Sequence, residues 1–232
     1  MDQFFNISVI ADNFTYFMIG RFPNGPLGGL GLTLYLAAIS CILSFFGGLA
    51  LGLLSISRLP AVRYPAIAFI NLVRGMPLLM VIFWMYFLMP ALFGKVAESQ
   101  TVIMGLTLFT SAYMSRIVVA GIDGIPRGQT EAAISTGLKP WQAMLYIVLP
   151  QGLRNMIPSF VNQFVSLIKD TSLAFIVGVS ELTHVGTQIN NRTMAYPTEI
   201  FVFIALVYFI VCYAFTSLSR WLEQRLAWRK AI

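Results

Sequence analysis

The chain has 232 residues, of which 58% are hydrophobic and only 10% are charged, with a formal net charge of +6. A soluble domain carries about 25% charged residues, so this composition excludes an ordinary water-soluble fold and indicates an integral membrane protein. The positive charge lies in no dense Lys/Arg run, which argues against a nucleic-acid partner and is typical of basic residues that flank membrane spans.

Five stretches are apolar enough to cross a bilayer, which takes about 20 residues per helix. They lie within residues 22–57, about 62–90, about 99–122, about 155–180 and 200–219. The fourth is the weakest because Lys169 and Asp170 fall inside it, and the small residues at 47–52 of the first predict close helix packing. The predicted fold class is therefore all-α, with five transmembrane helices.

Basic residues in the short connections predict the orientation, because cytoplasmic loops carry an excess of Lys and Arg. Most of them fall between spans one and two, between spans three and four, and at the C-terminus. They are Arg58, Arg63, Arg127, Lys139, Arg154, Arg220, Arg225, Arg229 and Lys230. We therefore expect an outer N-terminal segment at 1–26, a transmembrane domain at 27–222 and a cytoplasmic tail at 223–232.

The connection at about 125–150 is too polar for lipid and too regular for a mere loop. Glu131 and the alanines after it favour a helix that is capped by Thr130. Gly137 can end that helix in a left-handed conformation, and a second helical run then follows and ends at Pro150. On these residues alone, a docking site for a partner protein and an amphipathic helix on the bilayer surface are equally favoured.

The same stretch resembles the signature of the permease subunits of bacterial ABC importers. That signature is E-A-A, three residues, Gly, nine residues and I-x-L-P, and residues 131–150 read EAAISTGLKPWQAMLYIVLP. RGMPLLMVIFWMYF at 74–87, GIDGIPRGQTEAA at 121–133 and the stretch 149–179 are similar to the polar-amino-acid subfamily, and most closely to its glutamate/aspartate permeases. The resemblance covers about residues 27–222.

The resemblance implies a type I importer fold in which this segment is the coupling helix that docks on a cytosolic ATPase. The residues that it assigns to coupling are Glu131, Ala132, Ala133, Gly137, Leu138, Ile147, Leu149 and Pro150. It also implies two cytosolic ATP-binding subunits, a second permease subunit (the same chain or a paralogue) and an external substrate-binding protein as partners. The chain has no G-x-x-x-x-G-K-[ST] motif, so we expect no cofactor on this chain, with ATP and Mg²⁺ on the partner ATPase.

Ionisable residues inside predicted spans are candidates for the substrate path, because lipid disfavours them. Arg74 stands close to Pro77, which predicts a broken helix, and an arginine fork matches a carboxylate. The alternative is that Arg74 caps freed carbonyls or pairs with Asp170. The full set of candidates is Arg74, Pro77, Arg116, Asn162, Lys169, Asp170, Thr171 and Ser172. A purely structural role stays open for those of the fourth span.

Arg116 departs from the pattern of the permeases that the chain resembles. They carry a glutamate at this position and an arginine three residues later, where this chain has Val119. If the position faces the substrate, the exchange favours an anion; the alternative is an arginine that snorkels to the cytoplasmic surface. Glutamate or aspartate is therefore the favoured substrate, with glutamine, asparagine or a basic amino acid as alternatives.

Two other classes of function compete with an importer subunit. A channel or carrier that works without ATP would have no use for the E-A-A segment. An intramembrane enzyme would need paired carboxylates, a histidine cluster, or a Ser or Cys beside a histidine, and the sequence has one histidine, His184, in a connection. We therefore expect a non-enzymatic, multi-pass subunit of the bacterial inner membrane.

Overall fold

The computed structural model describes residues 7–228, and their side chains up to residue 221. Most of these residues are helical, and no β-strand occurs among them. The helices are α1 (Ser8–Asp12), α2 (Phe14–Ile19), α3 (Gly29–Ser55), α4 (Pro60–Arg74), α5 (Leu78–Phe93), α6 (Glu98–Asp123), α7 (Arg127–Ser135), α8 (Pro140–Ala143), α9 (Leu149–Asp170), α10 (Leu182–Thr193) and α11 (Pro197–Trp228). A π-helical turn (Met144–Val148) joins α8 to α9, and a 3-10 helix (Thr171–Val177) follows α9. Residues 1–6 of the predicted outer segment and 229–232 of the predicted tail lie outside the described residues.

Four helical stretches are long and apolar enough to cross a membrane. They are Gly29–Ser55, Glu98–Asp123, Pro140–Val177 and Pro197–Trp221, and the broken pair α4 and α5 makes a fifth if it is counted as one span. The predicted all-α membrane class is confirmed. The break falls at residues 75–77, where Pro77 is extended (φ −62°, ψ 135°) directly before α5, as its proline ring predicts.

The fourth span begins earlier than the sequence predicts, and the expectation that Pro150 ends a separate helix is wrong. Helical structure runs from Pro140 to Val177. Pro150 is the second residue of α9, where its missing N–H would interrupt the α-helical hydrogen bonds. The turn before it is a π turn, in which the Leu149 N–H donates to the Met144 carbonyl five residues back. Helical structure therefore continues through Pro150 because the turn before it, Met144–Val148, is a wider π turn.

The chain divides into two compact units. Unit 1 comprises Met1–Ile42, Pro77–Thr107 and Phe164–Phe215, and unit 2 comprises Leu43–Met76, Leu108–Gln163 and Thr216–Ile232. Unit 1 has an apolar core shared by α1, α2, α10 and α11, made of Val9, Phe17, Leu182, Val185, Ile189, Ile200 and Ile204. The α10 members recur every three or four residues, so one face of that helix is buried.

In unit 2, the second half of α3 packs closely on α6. A Cβ atom at Gly52 would lie 2.8 Å from the Cβ of Val118, and one at Gly48 would overlap the side chain of Met114. The close packing predicted for the small residues at 47–52 is therefore confirmed. This contact fixes the stretch of α6 that carries Arg116.

Candidate functional site

The E-A-A segment folds into two short helices of unit 2, and its first helix starts earlier than expected. α7 begins directly after Pro126, which is extended (φ −55°, ψ 133°) and occupies the N-cap position. Thr130 lies inside the helix, so its predicted capping role is wrong. Glu131 and Ala132 are exposed, whereas Ala133 is buried. The E-A-A motif thus contributes both to the surface and to the packing beneath it.

α7 ends in the left-handed turn that Gly137 predicts. The φ angle of Gly137 is 92°, a conformation that side chains with a Cβ atom rarely adopt. Its N–H donates to the Ile134 carbonyl (2.9 Å), and the Leu138 N–H donates to the Ala133 carbonyl (3.3 Å). These two bonds satisfy carbonyls at the helix end and fix the turn. No atom lies within 4 Å of the position that a Gly137 Cβ would take, so the turn is open to approach from outside.

The second half of the segment forms a base for α7. α7 packs on α8 and on the π turn. The Gln151 side-chain amide donates to the Ile147 carbonyl (2.9 Å) and to the Gln129 side chain (3.4 Å), which ties α9 to α7. Leu149 is buried, Leu138 and Ile147 are half-buried, and Pro150 is exposed. The I-x-L-P part of the motif therefore supports the surface more than it forms it.

Four large apolar side chains of this segment are left uncovered. They are exposed by between 43% and 59%, and they are Ile134, Trp141, Leu145 and Tyr146. The rings of Trp141 and Tyr146 lie 6.5 Å apart. We call these four residues the exposed apolar group. Exposed large apolar side chains, of which Trp141 and Tyr146 are neighbours here, are typical of a site for a protein partner or for a membrane.

Two contacts in unit 2 join the arginines to neutral partners on a neighbouring helix. The Arg116 Nη2 donates to the Asn71 Oδ1 at 2.7 Å. The Arg74 guanidinium carbon lies 5.1 Å from the centre of the Tyr113 ring. Asn71 and Arg74 are three residues apart on α4, and Tyr113 and Arg116 are three apart on α6, so the contacts form successive rungs between antiparallel stretches. We call them the two arginine rungs.

The arginine rungs keep their charge at the surface of the chain. Arg74, Arg116 and Asn71 are exposed, and Tyr113 is half-buried with its ring 4.9 Å from that of Phe109. Within the described part of unit 2, neither guanidinium is paired with a carboxylate. Inside a span such charges are disfavoured in hydrocarbon, which makes this surface a candidate for contact with water or with another chain, beside the alternative that Arg116 snorkels to the membrane surface. Sequence reasoning found both arginines and missed Asn71 and Tyr113.

The candidates of the fourth span are placed in different ways. Asn162 is exposed on α9 of unit 2, in line with Asn155 and Ser159 at helical spacing, and the three form a polar stripe. In unit 1, Lys169 is exposed, whereas Asp170 and Ser172 are half-buried. Thr171 in the same unit is buried, and its hydroxyl donates to the Ile168 carbonyl (2.6 Å). The Thr171 hydroxyl is therefore committed to its own helix.

A carboxylate that was not among the sequence-based candidates is buried in unit 1. Glu181 is the N-cap of α10 and has no exposed surface. It accepts hydrogen bonds from the backbone N–H groups of Thr183 and His184 (2.8 Å each) and from the Tyr208 hydroxyl (3.0 Å). Burial raises the pKa of Glu181 from its ordinary 4.5 to about 7, although these hydrogen bonds lower it. A carboxylate directly before an apolar-periodic helix was the signal for this cap.

Known proteins resemble this chain over most of its length. Residues 44–228 match the family model described as the inner membrane component of binding-protein-dependent transport systems. The chain belongs to this family. It is 41% identical over 199 residues to the probable glutamine ABC transporter permease protein GlnP of Bacillus subtilis (strain 168), with 85% of this chain and 91% of GlnP covered. It is 30% identical over 209 residues to the glutamate/aspartate import permease protein GltK of Escherichia coli O6:H1, with 87% and 93% covered.

A solved structure shows the same fold. An amino acid ABC transporter crystallised with histidines superposes with a TM-score of 0.83 at 27% identity, covering 95% of this chain and 98% of that one. This member of the binding-protein-dependent permease family is thus a multi-pass inner-membrane permease of an amino-acid ABC importer, as the resemblance predicted. The two named relatives differ in their amino acid, which is glutamine in one and glutamate/aspartate in the other.

Proposed function

We propose that this permease moves glutamate or aspartate into the cell, driven by two cytosolic ATPase subunits that dock on residues 127–150. A binding protein on the outer side delivers the substrate, and a second permease subunit completes the path. ATP and Mg²⁺ bind to the ATPase subunits. The observation that carries the docking of the ATPase subunits is the E-A-A segment, an element that is held by hydrogen bonds and has an exposed apolar group.

The build of the segment supports a mechanical role. A partner can transmit movement only through a rigid contact, and the Gly137 turn and the Gln151 bonds make this element rigid. The exposed apolar group offers area for docking, and the open turn at Gly137 admits a close partner. Glu131 and Ala132 then lie at the interface, while Ala133 and Leu149 support it from below.

The polar surfaces inside the spans support a substrate path. Arg74 and Arg116 on one side, and the polar stripe that includes Asn162 on another helix of unit 2, are exposed in a single chain. Lipid does not cover such groups, whereas a water-filled path beside a second permease would. In unit 1, Lys169 is exposed and Asp170 and Ser172 are half-buried, and they are separate candidates for contact with the substrate, as is Pro77, which directly precedes α5.

The experiment is uptake into proteoliposomes that contain this chain, its ATPase subunits, its second permease and its binding protein. Radiolabelled glutamate, aspartate, glutamine, histidine and arginine are tested with and without ATP. We expect ATP-dependent uptake of the acidic pair. Uptake of glutamine or of a basic amino acid instead would retain the importer and reject the acidic substrate. Flux that is independent of ATP would reject the importer in favour of a channel or carrier.

A glycine substitution tests the coupling segment in the same vesicles. Gly137→Trp places a large side chain at the proposed interface, so we expect ATP-dependent uptake to be abolished while the chain still inserts. Gly94→Trp is the matched control, because Gly94 also has a left-handed φ (77°) and open space around it, but lies outside the segment. Normal uptake by the Gly137 variant, or equal loss in the control, would contradict the assignment.

A further inference from the structure

We infer that the two arginine rungs divide the recognition of an acidic amino acid between them, with Arg74 binding its α-carboxylate and Arg116 its side-chain carboxylate. This inference rests on the proposed import function and names the residues that set its specificity. It assigns positioning roles to Asn71 and Tyr113, which hold the two guanidinium groups.

In the Arg116 rung, the positive charge of the guanidinium is not neutralised, and most of its N–H donors have no acceptor in the chain. A guanidinium has five N–H donors, and Arg116 uses Nη2 to reach the Asn71 amide oxygen at 2.7 Å. Asn71 is neutral, so the contact fixes the direction of the side chain without cancelling its charge. A carboxylate at position 71 would have done the opposite. Arg116 is therefore a positioned cation that is ready to meet an anion from outside the chain.

The Arg74 rung leaves a different part of the guanidinium free. The Tyr113 ring supports the guanidinium through a cation–π contact at 5.1 Å, and Phe109 braces the ring. A contact with the ring face consumes none of the N–H donors of the guanidinium plane. The fork of Arg74 therefore stays available for bidentate binding of a carboxylate.

The position of Arg74 at the helix break assigns it to the α end of the substrate. Arg74 is the last residue of α4, and the chain is non-helical at residues 75–77. The C-terminal end of a helix carries partial negative charge and favours a cation. An amino acid whose carboxylate meets Arg74 therefore places its ammonium group beside a favourable helix end. This pairing would serve every amino acid and would not select among them.

Arg116, in the other arginine rung, would then distinguish acidic from neutral amino acids. Three residues along a helix correspond to a rise of about 4.5 Å, a step on the scale of a short dicarboxylic amino acid. A side-chain carboxylate there would neutralise Arg116, whereas the amide of glutamine would leave the positive charge uncompensated. A site that is built to bind a charged group rejects the neutral analogue because its own charge stays unpaired.

Binding to the purified assembled transporter tests the division of roles. We would measure radiolabelled glutamate and glutamine by equilibrium dialysis, without the binding protein, and ATP-driven uptake in proteoliposomes with it. For Arg116→Gln we expect glutamate affinity to fall by about tenfold or more, with glutamine affinity nearly unchanged. For Arg74→Gln we expect both affinities to fall together. Arg63→Gln is the matched control, since Arg63 is an exposed arginine of the same helix, over the neighbouring Tyr64 ring.

A second variant separates positioning from charge. Asn71→Asp keeps the shape of the side chain but pairs Arg116 with a carboxylate inside the chain. We expect it to lose the preference for glutamate although Arg116 is still present. Asn71→Gln, which keeps a neutral amide, should retain more of that preference. A merely structural role of Asn71 would change both variants alike and would leave the glutamate-to-glutamine ratio unmoved.

The outcomes separate this inference from the importer itself. ATP-dependent uptake with an unchanged glutamate-to-glutamine ratio in both Arg116→Gln and Asn71→Asp would overturn the inference and leave the importer standing. Tighter binding of glutamine than of glutamate by the unaltered transporter would overturn it as well. No ATP-dependent uptake of any tested amino acid would reject the proposed function.

Discussion

The surroundings of the ionisable side chains differ between two regions of the molecule, the buried Glu181 and the exposed arginine rungs. In unit 1, Glu181 is fully buried, and its carboxyl oxygens accept hydrogen bonds from neutral donors, namely two backbone N–H groups and the Tyr208 hydroxyl. In unit 2, Arg74 and Arg116 are exposed, and each touches one neutral partner that leaves donors free. The first arrangement gives both carboxyl oxygens hydrogen-bond donors within the fold, whereas the second leaves most of the guanidinium donors without an acceptor in the fold.

The difference separates a group that supports the fold from two arginines to which we assign a role in substrate binding. Glu181 joins the start of α10 to α11, next to the contact by which the Thr33 hydroxyl on α3 accepts from the Leu182 N–H (3.1 Å). Removing a group that satisfies buried donors leaves them unpaired at a cost to folding. Removing an exposed arginine leaves nothing buried unpaired. Stability and substrate affinity should therefore respond to different substitutions.

The largest expected effect is on the stability of the Glu181 region. Glu181→Ala leaves two backbone N–H groups without their acceptor and removes the acceptor 3.0 Å from the Tyr208 hydroxyl, so we expect a loss of about 3 kcal/mol in the free energy of unfolding. Thermal unfolding of the detergent-solubilised protein measures it. Glu181→Gln keeps one acceptor oxygen and should lose less. An unchanged midpoint for the alanine variant would make Glu181 as dispensable as a surface charge.

A smaller change in the free energy of unfolding should appear when the pH is changed. Burial raises the pKa of Glu181 from 4.5 to about 7. Between these two pH values, the folded state therefore binds more protons than the unfolded state. The contribution of Glu181 to the free energy of unfolding is fully present below about pH 4.5. As the pH rises through about 7, the free energy of unfolding falls by on the order of 2 to 3 kcal/mol.

Unfolding midpoints at pH 4.5, 6 and 8 check this prediction. The comparison is between the unaltered chain and Glu181→Gln, because only the unaltered chain has a carboxyl group at position 181. The slope should be shallower in the glutamine variant. Equal slopes would assign the pH dependence to other groups.

The smallest expected effect is on the stability of the arginine rungs. Arg116→Gln removes one exposed hydrogen bond to Asn71, so the free energy of unfolding should change by less than about 1 kcal/mol. The same thermal assay measures it, and the dialysis experiment shows whether glutamate affinity falls in the same sample. A loss as large as that of Glu181→Ala would mean that Arg116 supports the fold and would erase the contrast between the two regions.

Much of the fold could be predicted because its signals are local. Runs without charge mark α3, α6 and α11, and the break before α5 follows from the geometry of Pro77. The start of the fourth span could not be predicted in this way. Pro150 has the features of a helix end, and the π turn that accommodates it depends on backbone hydrogen bonds without a sequence signature.

The candidate site shows the same limit. The left-handed turn at Gly137 could be predicted because it depends only on hydrogen bonds between residues close in the sequence. Both arginines were found because a charged residue inside an apolar span stands out in the sequence. Asn71 was missed because its partner lies 45 residues away along the chain. Contacts between helices of this kind carry no periodic or motif signal, so only the folded chain reveals which neutral residue holds which charge.

The widened turn at Met144–Val148 has a consequence for rotational phase. A π turn holds about one residue more than an α turn, and one residue of an α-helix corresponds to about 100° of rotation. The azimuth at which Trp141 projects, relative to the polar stripe of α9, therefore depends on this single inserted residue. A chain one residue shorter at this point would keep nearly the same composition and hydropathy, yet Trp141 would face another direction.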